Sequence, residues 1–129
     1  MKRLVVVMVA ALGAAVCCAA DAKDAKAKAP VKQDAAQVEA RAKRVIKNAL
    51  ALFEQKEDER AVGMLEAVGR MYPDAQARFV ANLELGRHFL DKRDFDRAGV
   101  ELRAAQRSTN ELVQAESLLL QGTAFNTRG

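Results

Sequence analysis

Between Asp34 and Gly129 apolar residues recur at steps of three and four, and a single proline, Pro73, interrupts them. That spacing puts one apolar stripe along each of several helices, because side chains three and four apart share a helix face. The composition agrees. Ala and Leu dominate, and there are only 2 Pro and 7 Gly in 129 residues. Ala and Leu give up little side-chain freedom in a helix. A β-rich chain would need more Val, Ile, Tyr and Thr between turn signals. The expected fold class is all-α.

Five helices follow from the punctuation. Asp34, with Gln37 three residues on, reads as a capping box opening the first. Val38, Ala42, Val45, Ala49, Leu52 and Phe53 form its apolar side. Asp58 is expected to cap the second, which buries Ala61, Met64, Leu65 and Val68 and ends before Pro73. Asp74 should cap a third, with Phe79, Leu83, Gly86, Phe89 and Leu90 inside. Asp94 should cap a fourth, with Phe95, Ala98, Leu102 and Ala105 inside. Asn110 should cap a fifth, with Leu112, Leu119, Gly122 and Phe125 inside. Turns of a few residues between such helices make antiparallel hairpins.

The formal charge of +4 is unevenly spread. Asp21–Lys47 holds eight Lys/Arg against four Asp/Glu, whereas Asn48–Gly129 holds 11 against 13. A nucleic-acid-binding domain would need a basic face interleaved with stacking aromatics. Only 5% of the residues are aromatic and the helical part is near neutral, so no nucleic-acid partner is expected.

The first 20 residues read as a secretory signal peptide. Lys2 and Arg3 precede an uncharged run from Leu4 to Ala20 that ends in small residues. Cleavage is expected after Ala20, with Ala22 as the second choice, which makes the protein exported, periplasmic or secreted. At 17 residues the run is short for a spanning helix. An uncleaved anchor, or lipidation at Cys17 or Cys18, would be the membrane's only hold on the chain. Val16 and Cys17 stand where a lipobox wants a small residue, which ranks lipidation below cleavage. Cleavage after Ala20 would remove both cysteines and with them any disulfide or thiol chemistry. Residues 21–33 are a low-complexity Ala/Lys/Asp stretch that reads as a flexible spacer, and the helical domain is expected over 34–129.

No residue pattern points to catalysis. His88 is the single histidine, and a zinc site needs several convergent ligands. Asp91, Asp94 and Asp96 cluster where a helix cap explains them, without the glycine and terminal Glu of a calcium loop. Glu57, Asp58 and Glu59 suit a helix start through the helix dipole. Ser108 and Ser117 lack a nucleophile-elbow context. No enzyme activity, metal or cofactor is expected.

A more specific likeness lies in the helical part. Leu85, Gly86, Phe89, Phe95, Ala98, Leu102 and Ala105 resemble the tetratricopeptide pattern of large, small and aromatic positions. Ala49, Leu52, Ala61, Leu65, Val68 and Pro73 are similar to it as well. Ala49 and Ala61 are 12 apart, as are Gly86 and Ala98, and the two sets are 37 apart, against roughly 34 for the standard repeat. Small residues suit these points because paired helices cross closely there. The chain resembles the tetratricopeptide regions of bacterial cell-envelope proteins, such as outer-membrane-assembly and Tol–Pal-associated proteins.

The resemblance implies a short solenoid of helical hairpins over 35–73 and 75–108, with a half-repeat over 111–126. Leu118, Gly122 and Phe125 open that third unit, which reads either as a terminal capping helix or as the front of a longer array. It further implies a concave face built by the first helix of each hairpin. Lys43, Ile46, Lys47, Leu50 and Phe53 would line it from one helix, and Val80, Leu83, Glu84, Arg87 and Asp91 from the other. Ile46, Leu50, Leu83 and Glu84 depart from the family's carboxylate clamp, but Lys43, Lys47 and Arg87 would still favour an acidic ligand. The function so implied is an adaptor or scaffold binding another protein or peptide of the cell envelope. The alternative is an oligomerisation module in which Leu118–Phe125 pairs with a second copy.

Overall fold

The computed structural model describes residues 34–129, and the expectations for the leader and the spacer lie outside that range. Asp34–Gly129 forms one compact, all-α unit. Its helices are α1 (Ala35–Glu54), α2 (Asp58–Met71), α3 (Ala77–Asp91), α4 (Phe95–Ala105) and α5 (Glu111–Arg128). Each packs on its neighbours in sequence, and the odd-numbered helices also touch one another, α1 on α3 and α3 on α5. Among the described residues no helix is long and apolar enough to cross a membrane.

The core has two parts that meet at α3. Ala42, Ile46 and Ala49 of α1 join Leu65 and Val68 of α2 against Ala77, Ala81, Leu85 and Phe89 of α3. On the opposite side of α3, Phe79 and Leu83 pack with Leu102 and Ala105 of α4 and Val113 of α5. Helix α3 is therefore apolar on two faces and buried on both. Each fully buried leucine contributes about 1.5–3 kcal/mol relative to exposure. Gly86 sets the approach of α4: a Cβ there would lie 2.6 Å from Cδ2 and 2.7 Å from Cγ of Leu102. No larger residue fits without moving that leucine.

The two hairpin turns share one hydrogen-bond pattern, 37 residues apart. Glu57 N donates to Leu52 O and Lys56 N to Phe53 O; Asp94 N donates to Phe89 O and Arg93 N to Leu90 O. These are Schellman closures, which need a left-handed residue just past the helix. Lys56 (φ 62°) and Arg93 (φ 60°) take that role, with no glycine at either position.

Two of the five expected caps form as expected. Asp94 accepts from Arg97 N (3.2 Å) and Asn110 from Leu112 N (3.0 Å). The Asp34 side chain makes no cap bond, and Asp58 is the first helical residue of α2, behind Glu57. Asp74 lies in the turn ahead of α3, whose first N–H, that of Ala77, donates instead to Glu39 Oε2 of α1 (3.2 Å). The carboxylate that offsets the N-terminal dipole of α3 comes from 38 residues upstream, a partner that only folding supplies.

The fifth helix turns its other side inward. Leu112, Leu119, Gly122 and Phe125, expected in the core, are all exposed; Val113, Ser117 and Ala124 are buried in their place. The physical reason is that α5 is apolar on two sides, so periodicity alone does not choose a face. The side with the smaller residues wins because it approaches α3 and α4 more closely. The fully buried Ser117 hydroxyl donates to Gln114 O (2.7 Å), and Gln106 of α4 donates to Gln121 (2.7 Å).

Candidate functional site

An opening on the expected concave face lies between the C-terminal end of α1, the start of α2 and the outer side of α3. It encloses about 410 Å³. Leu50 and Phe53 come from α1 and Asp58 from α2. Glu84, Arg87, His88 and Asp91 come from α3, and Lys92 from the position just past its end. The α3 residues gather here because 84, 87, 88 and 91 fall at helical steps of three and four. A second opening of about 400 Å³ adjoins it on the α5 side, sharing Arg87 and Asp91 and walled by Leu120, Thr123 and Ala124.

Five of the ten residues expected to line a concave face meet in the first cleft: Leu50, Phe53, Glu84, Arg87 and Asp91. Ile46 and Leu83 do not reach it. They occupy equivalent places 37 residues apart and are 5% and 3% exposed, so both belong to the core. Val80 is half-buried and packs against both parts of the core. Lys43 and Lys47 are exposed on α1, and Lys43 pairs with Glu39 (3.5 Å).

His88 stacks on Phe53, with ring centroids 4.6 Å apart and planes at 24°, and meets the edge of Phe89 at 5.8 Å. The cleft therefore has an aromatic floor that ties α1 to α3. Lys92 closes one end by pairing with Asp58 at 2.7 Å. The hydrogen bond from Lys92 holds the Asp58 carboxyl below its usual range, and the same bond raises Lys92. Arg87 is held twice, by Glu84 at 2.9 Å and by Glu116 of α5. Among the described residues, Asp91 has no cation paired with it.

These pairings change the electrostatic expectation. Arg87 is paired with two carboxylates and the exposed Lys43 with one, while Lys47 has no salt bridge among the described residues. With Asp58, Glu84 and Asp91 against Arg87 and Lys92, the lining carries one net negative charge when His88 is neutral.

Sequence reasoning missed His88, Asp58, Lys92 and Glu116 as members of this surface. His88 was readable, since it lies one helical turn past Glu84 on the same stripe. Asp58, Lys92 and Glu116 come from helix ends and a third helix, and no spacing rule links them. The serines are structural: Ser108 Oγ accepts from Asn110 N (3.1 Å), and Ser117 bonds within its own turn. Among the described residues, no group of three or more His, Cys, Asp or Glu is arranged to hold a metal ion.

Compared with family models, with curated proteins and with solved structures, the chain gave no significant match.

Proposed function

We propose that this chain is a short tetratricopeptide-type repeat protein that works outside the cytoplasm as a non-enzymatic adaptor. It holds a segment of a partner protein of the cell envelope in the cleft between α1 and α3. The repeat reading is supported by the matching turns at Lys56 and Arg93 and by the buried small residues at Ala49, Gly86, Ala61 and Ala98. Export rests on the sequence of the first 20 residues alone.

The observation that carries the binding role is the combination of a stacked Phe53–His88 floor with the unpaired Asp91 at its rim. A large apolar side chain fits over such a floor, and a Lys or Arg one turn away pairs with Asp91. Most of the remaining charges are paired with one another, which suits a rigid binding surface better than proton transfer to a substrate.

Selection of displayed peptides on the purified protein tests this. Enriched sequences should combine an aromatic or large aliphatic residue with a Lys or Arg nearby. Asp91→Lys should remove that basic preference and Phe53→Asp should remove binding altogether. Peptides that bind both variants as well as the parent would sink the proposed cleft.

A further inference from the structure

The outer face of α5 is a large apolar surface that no described residue covers. Leu112, Leu118, Leu119 and Phe125 are 77%, 57%, 68% and 73% exposed, and Ala115 and Gly122 lie exposed between them. Its residues mirror one another about a point between 118 and 119. Leu118 reflects onto Leu119, Ala115 onto Gly122 and Leu112 onto Phe125. A face with this symmetry is self-complementary in an antiparallel helix pair: large residues meet large ones and small meet small. Self-complementarity is what a two-fold interface between identical chains requires.

Gly122 lies within this face. It sits inside a helix, where glycine is unfavourable, and a Cβ there would meet nothing within 4 Å, as is also the case at Gly63, Gly69 and Gly99. Gly86, 36 residues earlier, has the corresponding place on α3 and is filled by Leu102 of the antiparallel helix α4. Gly122 thus presents the same kind of close-approach point, in open space.

We infer that two copies of this chain pair through α5, antiparallel, about a two-fold axis between Leu118 and Leu119. Ala115 of one copy then faces Gly122 of the other, which lets the helices approach closely while the leucines interlock on either side. At the ends Glu111 meets Asn126, so no like charges oppose. The face is about 27 Å long for 18 residues at 1.5 Å each. One helix of that length makes an interface at the small end of the range, below about 1,200 Å², so the dimer belongs with weak, transient contacts. The surface is separate from the cleft and does not depend on what the cleft binds.

The test uses the full chain with Cys17 and Cys18 replaced by serine. Sedimentation equilibrium should show a monomer–dimer transition in the micromolar range. Gly122→Leu, whose new side chain enters open space in the monomer, should weaken it at least tenfold, and Leu119→Glu should abolish it. Both variants should keep the parent's helical circular dichroism. Under oxidation, a mixture of Ala115→Cys and Gly122→Cys chains should give a mixed disulfide, and each alone should give far less. Phe53→Asp should leave the dimer unchanged, which separates this result from any failure of the cleft. A monomer at every concentration overturns the inference. Association that survives Gly122→Leu and Leu119→Glu, or cross-linking dominated by 115 to 115, overturns it too.

Discussion

Helices α3 and α5 carry the same kind of sequence and meet different fates. Both are apolar on two sides, and both place a glycine at the same point, Gly86 and Gly122, 36 residues apart. In α3 one side packs on the first hairpin and the other on α4 and α5. In α5 Val113, Ser117 and Ala124 face α3 and α4, while the side bearing Leu119 and Gly122 stays open. The comparison teaches that a two-sided pattern states how many neighbours a helix can accept, and the packing decides which side is filled. It also says what the open side of α5 is fit for: an antiparallel helix that approaches closely at Gly122.

The sharpest way to break this comparison is to truncate the filling residue on each helix pair. Leu102 is fully buried over Gly86, so Leu102→Ala should cost about 2–5 kcal/mol through lost burial and the cavity left behind. Leu119→Ala should lie within about 0.5 kcal/mol of the parent at concentrations where the chain is monomeric. Urea unfolding of both checks this. Equal losses would mean that Leu119 is covered in the monomer.

The glycines should then respond with opposite signs. Gly86→Ala forces its methyl into Leu102 and is expected to destabilise by about 1–3 kcal/mol. Gly122→Ala meets nothing and should stabilise the monomer by up to about 1 kcal/mol, the helix-propensity difference. In a Leu102→Ala background the penalty at Gly86 should largely vanish, because the atoms it strikes are gone. A double-mutant cycle by thermal or urea unfolding reads this coupling directly. A penalty that persists would place the strain elsewhere.

The same contrast shows where the sequence was readable. Helices α1 to α4 have apolar stripes with one dominant side, or in α3 two sides that are both filled, and much of their core follows from spacing, although Ile46, expected on the concave face, is buried. Helix α5 has two competing sides, and the choice between them depends on the depth of approach to α3 and α4, which spacing does not contain. Caps divide in the same way. Asp94 and Asn110 act on their own helices and are local signals, whereas Glu39 reaches α3 from α1 and is legible only once the helices pack. The cleft follows suit: the stripe Glu84, Arg87, His88 and Asp91 is written in α3. Its electrostatics are not, because Glu116 arrives from α5 to pair with Arg87 and Asp58 arrives from α2 to pair with Lys92.

A smaller effect compares the two turns. Lys56 and Arg93 hold left-handed backbone that costs a side-chain-bearing residue about 1–2 kcal/mol, part of which glycine returns as unfolded-state entropy. Lys56→Gly and Arg93→Gly should each therefore stabilise by roughly 0.5–1 kcal/mol, and by similar amounts, since the hydrogen bonds are the same. Unequal gains in melting temperature would show that the turns differ in strain despite their shared pattern.

The smallest expected effect lies on α4. Glu101 of α4 is half-buried, and desolvation, with the nearby Glu66 carboxylate, raises its pKa above the ordinary 4.5. A raised folded-state value means that the neutral form is the one the fold prefers. The stabilising contribution is complete below the unfolded-state value and is lost as pH rises through the folded-state value. At neutral pH the folded protein therefore carries an ionised group in a place that disfavours charge. Glu101→Gln removes that charge with little change of shape, so it should raise the melting temperature slightly at pH 7. The gain should shrink as pH falls through the carboxylate range and disappear below the unfolded-state value. Glu66→Gln should give part of the same gain, because the second cause of the shift is its charge. A gain from Glu101→Gln that is independent of pH would assign it to packing or helix propensity rather than to ionisation.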